Sequence, residues 1–204
     1  MKFLDDSMSR LPKGDVKLPQ GVLRSQIRKA IYDTVTIAAN ESPIGSRVFF
    51  TDVTGKARYL TNLKMPNQLE GSVSFLIDHI SVNAHCREAA NKDALALIQE
   101  HSYMRLLVGD LEYWDGNMVD LTGKVTQETT VADSHFSQYG WARMCGLKLR
   151  GYQRIPIRPV RSFRVDWECA GMSAAEITAA TPVADSKLAF RLALQGYLRR
   201  PVQG

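Results

Sequence analysis

The residues best able to do chemistry in this 204-residue chain are four histidines, one acidic–aromatic run and one arginine series. His79 and His85 straddle the end of an apolar stretch, and Cys86 follows directly. A zinc or iron site built on β-strands from two close histidines, a carboxylate and a later histidine needs those ligands at short, regular spacing. No His-x-His pair occurs, and Asp78-His79, His101 and His135 do not supply the pattern, so ordinary strand-end and loop histidines are expected. Asp110, Glu112 and Asp115 flank Tyr113-Trp114, a grouping that sugar-binding clefts share. Asp110 and Glu112, however, fall on one face of an extended segment, and acids in turns are usually solvated. No Gly-x-Ser-x-Gly, Gly-x-Gly-x-x-Gly or Walker loop is present. The expectation is a chain with no catalytic residues, no cofactor and no metal.

The arginine series is the most unusual feature. Arg150, Arg154, Arg158, Arg161 and Arg164 follow Lys148, and no acid intervenes before Asp166. In an extended chain Arg150, Arg154, Arg158 and, past Pro159, Arg164 point the same way. Such a ribbon could grip phosphates or a neighbour's carboxylates, work that suits the bidentate guanidinium. The plain reading is a solvated strand edge whose charges deter sheet-to-sheet association. Aromatics are not densely interleaved, as a nucleic-acid reader would require, so subunit contact is the preferred functional version. A second basic group, Arg24, Arg28 and Lys29, stands beside Leu23, Ile27 and Ile31. Their i, i+4, i+8 spacing predicts a short amphipathic helix between Gln20 and Ile31. It would lie on a partner subunit or anionic surface, or pack against its own domain.

The elements that must position these residues are mostly strands. Arg161–Cys169 is the clearest: Phe163, Val165, Trp167 and Cys169 alternate with Ser162, Arg164, Asp166 and Glu168. That predicts a half-buried strand of an antiparallel sheet, with Cys169 as a small buried hydrophobe. Ile31, Asp33, Val35 and Ile37 share one face of a second strand. The run Asn40–Gly45 reads as a turn and Arg47–Val53 as the returning strand. In Ser72–Asn83 the apolar phase shifts after Asp78-His79, which predicts either a β-bulge or burial of both faces. Asn91–His101 has helical spacing, with Asn91 placed to cap. Tyr103–Val108 and Leu111–Trp114 read as a hairpin, with turns at Gly109-Asp110 and Asp115-Gly116-Asn117. Leu121–Gln138 is weakly patterned. Trp141–Leu149 and Tyr152–Ile157 read as extended. Ser173-Ala174-Ala175-Glu176 is a capping box opening a helix that runs to Ala180. Leu188–Gln195 alternates as a terminal strand leading into Arg199-Arg200.

About eight to ten short strands with two or three short helices, and no βαβ alternation, predict an all-β antiparallel sandwich, a single jelly roll. Residues 1–20 read as an N-terminal arm and 21–204 as one domain. No run of about 18 apolar residues exists to span a bilayer, and the acidic N-terminus does not resemble a signal peptide. Cys86, Cys145 and Cys169 form no paired framework, which fits a reducing cytoplasm. The net charge of +5 is mild and fits anionic neighbours or simple solubility.

Thr61-Asn62, Leu69-Glu70-Gly71, the strand SFLIDHISVN, a helix, RLLVGDLEYWDG and the closing LALQGYLRRPVQ together resemble jelly-roll capsid proteins of tailless icosahedral bacteriophages with an internal membrane. The resemblance covers roughly residues 60–120 and 188–203 and implies a non-enzymatic shell subunit located in the virion and made in the host cytoplasm. Its partners would be copies of itself and other capsid proteins, with the internal membrane or genome reached through the basic N-terminal region. The chain is too short for a double roll, which leaves major-coat and penton roles both open. The rival expectation is a small-molecule or carbohydrate-binding sandwich, a hydrolase included, that uses Asp110–Asp115.

Overall fold

The alternation is realised where it is strongest. Phe163, Val165, Trp167 and Cys169 are buried along one strand while Arg164 and Glu168 stay exposed. The structure, a computed structural model, describes residues 15–17, 23–86, 91–122, 136–137, 146–183 and 187–201. Most of the expected arm, His135, Cys145 and the greater part of 121–145 lie outside the described residues.

In chain order the strands are β1 (Asp15–Lys17), β2 (Leu23–Ile37), β3 (Gly45–Phe49), β4 (Ser74–Cys86), β5 (Ser102–Val108), β6 (Leu111–Asn117), β7 (Phe136–Ser137), β8 (Leu147–Lys148), β9 (Ile155–Ile157), β10 (Phe163–Cys169) and β11 (Leu188–Pro201). The helices are α1 (Lys92–Glu100), α2 (Met118–Thr122) and α3 (Ala174–Ala180). One sheet runs β1-β2-β11-β4, and β7, β8 and β9 share the remaining edge of β4. The other runs β3-β10-β5-β6. Every pairing is antiparallel.

Leaving aside the short edge strands β1, β7 and β8, the other eight strands pair first with last (β2 with β11), second with seventh (β3 with β10), third with sixth (β4 with β9) and fourth with fifth (β5 with β6). That is one long hairpin rolled across two packed sheets, a single jelly roll. Its interior is filled. Trp167 stacks on Phe49 of its own sheet at 5.9 Å and meets Phe190 of the facing sheet at 4.9 Å. The indole N–H donates to Ser102 Oγ at 2.8 Å, so this buried ring leaves no polar atom unmet.

The bulge expected in the Ser72–Asn83 strand is present: Gln195 pairs with His79 and Gly196 with Ile77, leaving Asp78 as the extra residue. Ile77 through Val82 are also all buried, so both sequence alternatives hold at once. Gly196 is required here, because a Cβ would lie 1.9 Å from the carbonyl oxygen of Leu76. The capping box also forms: Ser173 Oγ accepts the Glu176 N–H, and Glu176 Oε2 accepts the Ser173 N–H at 2.7 Å. That backbone bond is the main cause holding the Glu176 carboxyl below its ordinary value.

Four local expectations are corrected. The basic helix between Gln20 and Ile31 is the first half of β2. Spacings of four fit a strand face as well as a helix, and β11 pairs along it through Arg24. The strand expected at Arg47–Val53 does not return beside β2. It ends at Phe49 and belongs to the other sheet, because Phe50 takes a left-handed φ of 73° and leaves the ladder. Asp115-Gly116-Asn117 is no turn, since β6 stays paired with β5 out to Asn117. Asn91 makes no side-chain cap to its helix, and its side-chain Oδ1 accepts the N–H of Val183 instead.

What turns the chain after β3 is Asp33. Its carboxylate, fully buried on the core face of β2, accepts the Phe50 N–H at 2.7 Å and the Lys56 ammonium at 3.0 Å. Further along, Asn62 serves the exposed side of β2 as a strand would: its amide donates to the Ala30 carbonyl at 2.7 Å and accepts the Tyr32 N–H at 2.8 Å. Loop residues thereby close an edge that would otherwise be open to pairing. Replacing Asp33 with Ala strands the Phe50 N–H and the Lys56 ammonium. The expected loss is about 3 kcal/mol of unfolding free energy, read from denaturant midpoints. A loss below about 1 kcal/mol would mean that the carboxylate does not hold this loop.

Candidate functional site

Alternation on β10 sends Arg164, Asp166 and Glu168 to the outer face of the four-stranded sheet. Ser46 and Val48 of β3 and Tyr103 and Arg105 of β5 join them around an open cleft of about 390 Å3. Arg164 Nε donates to Asp166 Oδ1 at 2.9 Å, so the arginine read as part of a ribbon is paired within its own strand. Beneath the cleft, Arg47 lies 5.4 Å from the Trp167 ring and donates to Glu41 and to the carbonyls of Pro43 and Ser42.

The acidic–aromatic run borders this face but does not converge. Asp110 sits in the β5–β6 turn. Tyr113 is the extra residue where Leu106 faces Trp114 and Leu107 faces Glu112. Asp115, opposite Arg105, accepts a short hydrogen bond from the Tyr103 hydroxyl. That bond to an anion raises the Tyr103 phenol above its ordinary value, since the carboxylate favours the protonated ring hydroxyl.

The structure splits the arginine series. Gly151–Gln153 forms a 3-10 turn, so Tyr152 is not extended, and β9 joins one sheet while β10 joins the other. The single ribbon through Arg150, Arg154, Arg158 and Arg164 is therefore not formed. Arg150 precedes the 3-10 turn on the surface, and Arg154 is half-buried beside the bulge.

Arg158 and Arg161 bracket a turn in which the Arg161 N–H reaches the Arg158 carbonyl, with Pro159 and Val160 between them. The Arg161 guanidinium lies over Gly109, where a Cβ would be 2.6 Å from its Nε. The Gly109 N–H also bonds the Ser162 carbonyl at 2.7 Å, which fixes this turn to the β5–β6 turn.

Register brings the other basic group to the same end. Ile27, Leu198, Phe75 and Ile157 form one row across four strands. Arg158 and Arg199 follow one residue beyond it, Arg200 two and Arg24 three, while Arg28 and Lys29 sit just inside. At about 3.3 Å per residue these positions lie within about 10 Å of the row. Arg28 approaches Asp78 Oδ2 at 3.7 Å and the Tyr197 ring at 6.0 Å yet stays largely exposed. The opposite end of the roll carries the three helices and Asp93, Glu100, Asp120 and Glu176. Reasoning from sequence missed the part played by Arg199 and Arg200. The signal was their place at the end of an alternating strand, but only the pairing with β2 reveals what they stand beside.

His79 and His85 share a strand six residues apart, about 20 Å, too far for one ion. His101 lies 3.7 Å from Glu176. Among the described residues no three His, Cys, Asp or Glu side chains are grouped to hold a metal, and no helix is long and apolar enough to cross a membrane. Fold and surface define the class as a single jelly-roll β-sandwich with a packed interior. No protein-family model matches the chain, and no curated protein sequence is significantly similar to it.

Two measurements follow. Asp115→Asn should return the Tyr103 phenol toward 10.0, read as one tyrosine shifting in an NMR pH titration; an unmoved tyrosine set would dissociate the two groups. Val160 occupies a left-handed φ of 62° at an exposed turn position that glycine accepts freely. Val160→Gly should therefore raise stability by about 1 kcal/mol in urea unfolding, and a decrease would show that the turn is unstrained.

Proposed function

We propose that this chain is a self-assembling shell subunit, a jelly-roll capsid protein of the kind found in tailless icosahedral bacteriophages. The observation that carries the reading is the rolled hairpin with a filled interior. Trp167, Phe49, Phe50, Phe163 and Phe190 occupy the space between the sheets, where ligand-binding rolls keep a cavity. The charged groups of the cleft and the Tyr103 ring are on the outside, as a protein that works by surface contact requires. Its partners are copies of itself and other shell proteins, and its place is the virion. Closed assembly requires each copy to present complementary patches under symmetry. The cleft over Arg164, Asp166 and Glu168, on the sheet face opposite the core, is the assembly surface this reading selects.

A second reading rests on that same cleft, whose Tyr103, Arg105 and paired carboxylates are groups that hold a sugar or other small polar molecule. The two separate cleanly. Purified protein examined by size-exclusion chromatography and negative-stain microscopy should form rings, capsomers or shells, and Arg164→Glu should reduce assembly without unfolding the chain. A strict monomer at high concentration that binds glycans would overturn the shell reading in favour of the second.

A further inference from the structure

The outer face of the four-stranded sheet carries one cation and one anion that the chain itself does not answer. Arg105 on β5 lies directly opposite Asp166 on β10 and Asp115 on β6. Both carboxylates are engaged elsewhere: Asp166 is held by Arg164 Nε at 2.9 Å, and Asp115 accepts the Tyr103 hydroxyl. Glu168 stands opposite Tyr103, two positions along β10 from Asp166. Arg105 and Glu168 are therefore diagonal neighbours on adjacent strands, about 7–8 Å apart at their Cβ atoms. Both are exposed, and among the described residues neither side chain makes a hydrogen bond or an ion pair. The half-exposed ring of Tyr103 fills the corner between them.

We propose that this face binds the same face of a second copy about a two-fold axis. The inference rests on the cleft being the assembly surface, and it names what occupies that surface. An axis lying in the contact plane and passing between Arg105 and Glu168 sets Arg105 against Glu168 of the second copy. By the same operation Glu168 meets Arg105 of that copy, so one pair of residues yields two ion pairs. Tyr103 falls beside the axis and meets its own counterpart, and tyrosine and arginine are the residues that dominate the centres of such contacts. Asp166 also falls near the axis, where Arg164 already answers its charge. Reversing Arg164 is disruptive in this arrangement because it leaves two facing Asp166 carboxylates unanswered. Glu112 and Asp115 lie toward the β6 side, away from the axis. A sugar supplies no charge for either Arg105 or Glu168, and a uniformly basic partner meets Glu168 but repels Arg105. A face with one unmet group of each sign is matched by a copy of itself.

A charge swap read by analytical ultracentrifugation of the full chain tests this directly. Arg105→Glu and Glu168→Arg, both at exposed positions, should each weaken self-association at least about tenfold, because two attractions become two repulsions, while circular dichroism stays unchanged. One variant then presents two carboxylates and the other two guanidinium groups. An equimolar mixture of the two should therefore associate again, as should the chain that carries both substitutions. A mixture that stays monomeric, or single variants that associate as the unaltered chain does, would overturn the assignment. Assembly is read on the same samples by negative stain. Shells built equally well by both single variants overturn this inference alone. Copies that pair and respond to the swap as described, yet never build shells, overturn only the shell reading. An unaltered chain that stays monomeric and binds glycans overturns both.

Discussion

A carboxylate taken fully out of water costs several kcal/mol unless its charge and lone pairs are met inside the protein. Asp33 is such a group, and the way it is met dictates how the roll begins. One oxygen receives the N–H of Phe50, which holds that residue in a left-handed conformation and ends β3. The Lys56 ammonium bridges both oxygens and also reaches the Thr34 carbonyl, pulling the following loop over the edge of β2. From there Asn62, Thr61 and the Leu60 carbonyl engage Ala30, Tyr32 and Thr34 in succession. A single buried charge thus converts a would-be hairpin partner into a strand of the facing sheet and supplies the loop that seals the edge left behind.

The second constraint is the bulge at Asp78. A roll needs long strands that curve, and β11 lies between β2 and β4 over nearly its whole length. On the β2 side the register is unbroken, while on the β4 side it slips by one at Gln195/Gly196. The extra residue increases local twist and swings Phe75 and Ile77 into line with the core face beyond it. Gly196 makes this possible, because the backbones approach too closely there for any Cβ. The same slip carries Asp78 to the side of the sheet where Arg28 can reach it, so curvature and surface charge are set by one irregularity.

The fold was legible where one face of an element is apolar and the other is not. β10, β11 and the capping box of α3 are read directly from Phe163–Cys169, Leu188–Gln195 and Ser173–Glu176. The β2 segment was misread because Leu23, Ile27 and Ile31 repeat at four, a spacing common to both periods; only its long partner strand decides. The β3 segment was misplaced because Asp33 acts across 17 residues on Phe50, a pairing no local pattern announces. The arginine series was legible as a composition and not as a surface. Pro159 and the turn at Gly151 break the ribbon, and a jelly roll sends consecutive strands to different sheets.

That last point bears on how the surface works. In this rolled hairpin, the start of β2, the end of β11 and the turn between β9 and β10 fall at one end of the sandwich, so basic residues far apart in sequence become neighbours. The helices fall at the other end because they link strand ends there, and α1, α2 and α3 each bring an acid with them. The chain's modest excess of +5 is therefore unevenly spread, with Arg28, Lys29, Arg158 and Arg161 close to one end of the strands. Copies packed side by side with strands aligned would bring these arginines and lysines of neighbouring copies onto one surface. Each added copy would add like-charge repulsion on that surface, which contacts between roll faces must outweigh. In such a layer the contacts between roll faces decide whether copies associate, and the interior of the roll has only to stay packed.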